Sequence, residues 1–280
     1  AFFPVPMLFL KGFEKGPPFL VSEIIDTMPE NGGAATRKGG GYGKHCVRAL
    51  AEAGAKTFIA SRNINALQDV ADSYTSRGFD VTALQFDQGD EASILALRDE
   101  VVRQAGKIDI LVNNAVARVM KNGWEGTAES FDESMHINAT GLFVLTRAVG
   151  EVMIRQNSGS IINIGSMMGM VGVEHHNYDG TDMHGWAPDY FFHKGGMINF
   201  TRFCASYFGY HNIRVNCISP GGLRSETHPE AFIKNYSERT QLGRLGEAGD
   251  LIGSIVFYAS EASRYITGTN LPVDGGYTAK

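Results

Sequence analysis

Short apolar runs alternate along this chain with segments whose apolar residues recur every three or four positions. That alternation predicts strands followed by amphipathic helices. From about residue 44 the order is regular: residues 44–53 read as a helix stopped at Gly54, and Thr57-Phe58-Ile59-Ala60 as the strand after it. Asn63 caps a second helix whose Leu67, Val70, Ala71 and Tyr74 mark one face, with Gly78 at its end. Residues 81–86 are the next strand, Ile94, Leu97 and Val101 stripe the following helix, and 108–112 is a further strand. A long helix covers about 131–153, then 160–164 is a strand. The helix carrying Tyr190 and Lys194 leads to a strand at 213–218. Strand–helix alternation of this kind means an α/β fold, a single doubly wound parallel sheet with helices on both faces. Ligands of such sheets bind at the carboxyl ends of the strands.

Two regions break the rhythm. Residues 11–40 hold Pro17-Pro18, scattered charges and Gly32-Gly33, with no clear first strand. Residues 172–189 form a polar and aromatic loop before the helix of Tyr190. The chain therefore divides into an atypical N-terminal extension, 1–35, and one domain, 36–280, with an insertion at about 172–189.

Composition narrows the function. The 280 residues are 43% hydrophobic and 20% charged, enough for one sizeable core. A net charge of −5 offers no basic face for nucleic acid. Cys46, Cys204 and Cys217 are odd in number, lack metal-ligand spacing and sit in apolar segments. They are expected to be reduced, buried thiols of a cytoplasmic protein. No run approaches the ~20 consecutive apolar residues of a membrane span. The apolar opening, 1–10, is short, contains two prolines and has no basic residues before it, so no secretory leader is expected.

The chemistry concentrates at Tyr190 and Lys194. Residues four apart share a helix face, so the ammonium can lie beside the phenol. A free tyrosine, with a pKa of ~10, is a poor base near neutrality, and a fixed positive charge favours its phenolate. Ser166, at the end of the apolar run 160–164, could hold a carbonyl or alcohol oxygen at the same point. Alone, a Tyr–Lys pair is as easily an exposed aromatic–cation neighbour. The cofactor-type loops around it change that balance. Thr36-Arg37-Lys38-Gly39-Gly40-Gly41-Tyr42-Gly43 precedes the first clear helix, where glycines let backbone approach a pyrophosphate. Ser61-Arg62 follows the second strand without an acid, and an arginine there suits a 2′-phosphate, which favours NADP(H) with NAD(H) as the alternative. Asp87 and Asn113-Asn114-Ala115 are polar groups at two further strand ends.

Together these motifs resemble the short-chain dehydrogenase/reductase family, over residues 36–280. Thr36, Gly41 and Gly43 fall on the family's T-G-x-x-x-G-x-G loop, with Arg37 in place of its first glycine and Tyr42 between the last two. Asn113-Asn114-Ala115 matches N-N-A-G with Val116 for the glycine. Asn138, Ser166, Tyr190 and Lys194 match the catalytic set. Pro220-Gly221-Gly222 with Ser225 resembles the segment over the nicotinamide, and Val273-Asp274-Gly275-Gly276 the C-terminal signature.

The resemblance implies a Rossmann-type fold and hydride transfer between NAD(P) and a carbonyl or secondary alcohol. Tyr190 would be the acid/base, Ser166 the oxygen-binding group and Lys194 the ribose-binding cation. Asn138 would anchor a relay water, and Ser61, Arg62, Asp87, Asn113, Ala115, Pro220, Gly221 and Ser225 would border the cofactor. It also implies a homotetramer or dimer, with a small-molecule substrate. Ser166 and Tyr190 stand 24 residues apart, longer than is usual in the family. The polar insertion between them suits a sugar, polyol or sugar acid, or else a subunit contact. A 3-oxoacyl carrier-protein reductase and an inactive nucleotide-binding protein stay open as alternatives. His175, His176 and His184 are not expected to bind metal, since no helix fixes them.

Overall fold

The computed structural model describes residues 18–22, 42–183, 187–247 and 249–279. In chain order the elements are β1 (Pro18–Ser22), α1 (Gly43–Glu52), β2 (Lys56–Ser61), α2 (Ile64–Thr75), β3 (Val81–Gln85), α3 (Glu91–Ala105) and β4 (Ile110–Asn113). There follow α4 (Ala128–Met135), α5 (Gly141–Gln156), β5 (Gly159–Ile164), α6 (Pro188–Phe208), β6 (Ile213–Pro220), α7 (Glu230–Arg239), α8 (Ile252–Ala259) and β7 (Asn270–Val273).

Among the described residues these strands form one parallel sheet in the order β3-β2-β1-β4-β5-β6-β7. The chain reverses direction across the sheet between β1 and β4, the switch point where such folds open a crevice. Strands β2, β4 and β5 are almost wholly buried, as strands covered on both faces must be. Adjacent residues of one strand feed opposite layers. Ile59 and Ile162 join the core beneath α1, α2 and α8, with Leu50, Leu67 and Ile255. Phe58 and Ile161 join the core beneath α3, α5 and α6, with Leu97, Leu145, Met153 and Phe208. Each such side chain contributes roughly 1.5–3 kcal/mol of burial.

Three expectations need correction. A first strand does exist: Pro18–Ser22, within the residues read as an extension, 1–35, pairs with both β2 and β4 as an interior strand of the sheet. Its apolar run, Phe19-Leu20-Val21, is as long as that of β4, but it follows Pro17-Pro18 and lies well before the glycine-rich segment at 39–43, ahead of where that segment predicts a first strand. Secondly, Pro188 and Asp189, assigned to the insertion, are the first turn of α6. Proline at a first helical position loses no hydrogen bond, and an acid there favours the helix dipole. Thirdly, the expected helix 131–153 runs from Ala128 to Gln156, interrupted by a π turn at His136–Thr140. That run is long and apolar enough to cross a membrane, but much of it is buried against α3 and the sheet, as in a core helix.

Candidate active site

The carboxyl ends of parallel strands lie on one edge, and that edge collects the polar residues singled out in the sequence. Beyond β5, Ser166 is buried, and its Oγ accepts from the Met168 N–H at 3.1 Å, capping the short turn Met167–Gly169. That turn lies directly on α6, with Gly169 against the Lys194 carbonyl. Lys194 is buried, and its Nζ donates to the Ile164 carbonyl at 2.6 Å, the last residue of β5. The same Nζ lies 5.8 Å from the centroid of the Tyr190 ring, which is half-buried. Burial pulls the Lys194 ammonium below the usual lysine range; Tyr190 and Cys217 oppose that shift and Arg118 adds to it. Ser166, Tyr190 and Lys194 thus converge at the end of β5.

Asn138 stands in the π turn, whose widened backbone aims it at the β4 loop. Its Oδ1 accepts from the Ala117 N–H at 2.8 Å, and its Nδ2 donates to the Ala117 carbonyl at 2.9 Å and the Ser134 Oγ at 3.0 Å. Ser134 in turn donates to Asp189 Oδ2 at 2.5 Å. The Asn138 side chain therefore clamps the loop after β4 instead of reaching toward Lys194.

The clamp sets the residue after Ala117. The guanidinium of Arg118 sits 3.9 Å from the centroid of the Tyr190 ring, a cation–π contact, on a side chain that is otherwise exposed. Neither Arg118, Ser134 nor Asp189 was singled out in the sequence, although Asp189 immediately precedes Tyr190 and Arg118 follows the Asn113-Asn114-Ala115 motif. His193 was missed too. It is buried, makes an edge contact with Tyr190 at 5.3 Å, and among the described residues neither ring nitrogen has a hydrogen-bond partner. Burial, then Lys194 and Arg118, pushes it down to about 3.

The cofactor edge is partly described. Thr36 and Gly41 lie outside the described residues. Gly43 opens α1, whose first turn carries no acid and no side-chain cap, so its N–H groups and dipole suit a phosphate. The Tyr42 hydroxyl donates to the Gly221 carbonyl at 2.7 Å, tying the start of α1 to the end of β6, and burial raises its pKa. Ser61 is buried at the end of β2, and Arg62 beyond it is exposed. Asp87 is half-buried, its Oδ1 accepting from the Gly89 N–H at 2.9 Å, and Ala115 is buried after β4. Asn113 faces the interior: its Nδ2 donates to Asn163 Oδ1 at 2.8 Å and Thr146 Oγ1 at 3.2 Å, so that side chain fastens β4 to β5 and α5. Pro220 is buried at the end of β6, and Gly221 passes so close to Asp274 that a Cβ would lie 2.9 Å from its Cα. Ser225 is farther out, bonded to Thr227 Oγ1 at 2.9 Å, in an open cavity of about 370 Å³ with Arg224, Glu226 and Glu230. These groups, on one edge beside a bare helix N-terminus, fit a nicotinamide dinucleotide.

The insertion packs on the body of the protein. Asn177 is buried and donates to the Tyr277 hydroxyl at 2.8 Å, Glu174 pairs with Arg239, and Tyr178 packs on Phe232. Arg118 acts electrostatically on Tyr178, so this segment flanks the Tyr190 site. His184 and Trp186 lie outside the described residues. Among the described residues no three His, Cys, Asp or Glu side chains gather as metal ligands.

Comparison with known proteins agrees with this arrangement. The model of the family described as Enoyl-(Acyl carrier protein) reductase matches residues 33–278. The 2-dehydro-3-deoxy-D-gluconate 5-dehydrogenase of Escherichia coli (strain K12) is 34% identical over 249 residues, 86% of this chain and 92% of that protein. The structure of a gluconate 5-dehydrogenase from Burkholderia cenocepacia J2315 in complex with NADP and tartrate superposes with a TM-score of 0.77 at 29% identity, covering 95% of this chain and 96% of that one. The structure of NAD+-bound xylitol dehydrogenase gives a TM-score of 0.77 at 28% identity, covering 93% and 98%.

Proposed function

The chain belongs to the short-chain dehydrogenase/reductase family and is a nicotinamide-dependent oxidoreductase, and from that premise we propose that it oxidises a secondary alcohol of a sugar, polyol or sugar acid and runs the reverse reduction. The observation that carries this reading is the Lys194 ammonium seated at the end of β5 and 5.8 Å from the Tyr190 ring, with the turn that follows Ser166 packed on the same helix.

In oxidation the Tyr190 oxygen takes the substrate hydroxyl proton while a hydride leaves the carbon bearing it; in reduction it returns that proton. Ser166 Oγ donates to the substrate oxygen and stabilises the charge that develops there. Lys194, held by the Ile164 carbonyl, favours the Tyr190 phenolate and would hold the ribose of a bound nicotinamide. The bound nicotinamide supplies the hydride acceptor or donor. Asn138 serves by fixing the loop after β4, and its place in the π turn leaves a relay to backbone and water rather than to its side-chain amide.

Arg62, exposed after β2 in the sequence Ser61-Arg62-Asn63, which contains no Asp or Glu, supports NADP(H) over NAD(H). Phe192, Phe203 and Tyr207 are exposed along α6 and Phe143 on α5, which supports a homodimer or tetramer joined through those helices. Three buried cysteines that form no disulfide support a cytoplasmic setting. Rates with gluconate, galactitol and xylitol under NADP+ and NAD+, set against reduction of a 3-oxoacyl thioester, test the reading. Turnover of the polyhydroxy compounds is expected, faster with NADP+; turnover of the thioester alone would contradict it.

A further inference from the structure

Among the described residues the Arg118 guanidinium enters no ion pair and no hydrogen bond; its contact is the face of Tyr190, 3.9 Å from the ring centroid. We propose that Arg118 binds a carboxylate of the substrate, so that the enzyme acts on sugar acids, polyhydroxy carboxylates, in preference to neutral sugars and polyols. The inference rests on the reading of Tyr190 as the acid/base.

Position is the first argument. A guanidinium held over an aromatic face engages none of its N–H donors with an acceptor, so they stay open to a bidentate carboxylate. Because the ring beneath it is that of Tyr190, a carboxylate bound there lies at the end of a short carbon chain whose alcohol reaches the phenol.

The second argument is that Arg118 is placed and not merely present. Asn138 grips both the N–H and the carbonyl of Ala117, Ser134 supports Asn138, and Asp189 accepts from Ser134. This buried chain fixes the backbone immediately before Arg118. A solvated surface arginine needs no such support.

The third argument is charge. The Arg118 guanidinium and the Lys194 ammonium lie 3.9 Å and 5.8 Å from the centroid of the same Tyr190 ring, so the site holds two cations near one another. The buried acid nearby, Asp189, is engaged by Ser134. Like charges so arranged cost free energy until an anion arrives. A carboxylate is the anion that a sugar acid brings and its alditol lacks.

The test compares Arg118→Gln and Arg118→Lys with the wild-type enzyme on gluconate and on glucitol, its neutral counterpart. The ratio of kcat/KM for gluconate to that for glucitol should fall about 10- to 100-fold in Arg118→Gln and partly recover in Arg118→Lys. An equal loss on both substrates, or an unchanged ratio, overturns the proposal. Calorimetric titration of gluconate into both proteins gives a readout without turnover, and weaker binding to Arg118→Gln is expected. Wild-type protein that turns over glucitol yet binds no gluconate overturns the carboxylate assignment and leaves the dehydrogenase reading intact. Gluconate binding that depends on Arg118, with no turnover of any alcohol, keeps Arg118 as a carboxylate site but overturns the reading of Tyr190 and, with it, the sugar-acid preference in catalysis.

Discussion

A methyl group at Gly169 would lie 2.6 Å from the carbonyl oxygen of Lys194. The turn that follows Ser166 therefore rests on the backbone of the helix that carries Tyr190 and Lys194, with no room for a side chain between them. This contact, together with the Lys194 bond to Ile164, is what brings the strand end and the helix to one point.

Gly169→Ala should push the Ser166 turn away from α6. The expected loss is about 1–3 kcal/mol of stability from overpacking. Since catalysis depends on sub-ångström placement, kcat should fall roughly 10- to 100-fold with a smaller change in cofactor affinity. Urea unfolding and steady-state rates on the same preparation check both.

Ser134→Ala should act at a distance. It removes the hydroxyl that joins Asp189 to Asn138, leaving a buried carboxylate oxygen and an amide N–H without that partner, at a cost of about 1–3 kcal/mol. The loop of Ala117 and Arg118 should loosen, raising the KM for substrate more than that for cofactor. A substrate-to-cofactor KM ratio unchanged from wild type would show that the network does not hold the loop.

His193 gives the protein a pH dependence of known sign. Its folded pKa is pushed down to about 3 from 6.5, so between those values the unfolded chain binds the proton first. Stability is then complete above about 6.5 and declines as pH falls toward 3, by up to ~1.4 kcal/mol per pH unit. His193→Leu removes two buried nitrogens that lack hydrogen bonds, and should flatten that decline while leaving neutral-pH stability equal or higher. Unfolding midpoints measured above and below this range, for both proteins, check it.

The strands and helices between residues 43 and 220 were legible because their apolar periods are uniform, whereas α7, α8 and β7 beyond them were not read from the sequence. Leu67, Ala71 and Tyr74 are buried on one face, as their spacing requires, and Asn63 caps its helix through the Ala66 N–H. Ser166, Tyr190 and Lys194 were legible because their residue types and order carry the chemistry. β1 was not, because it follows two prolines and ends at Ser22, well short of the glycine-rich segment at 39–43 that a first strand was expected to precede directly. The π turn was hidden as well, since one extra residue in a helical ring leaves the apolar stripe of α5 intact. Arg118 was hidden for a different reason. Its significance lies in a contact with a ring 72 positions away in the chain, made by a loop that Asn138 holds.

The most direct test of the account is nicotinamide absorbance during gluconate oxidation by wild-type protein and by Tyr190→Phe. The phenol oxygen is the group that moves the proton, so its removal should lower turnover by about 10²- to 10⁴-fold. Cofactor binding, followed in the same samples by fluorescence, should persist. Turnover by Tyr190→Phe within a few fold of wild type would contradict the account.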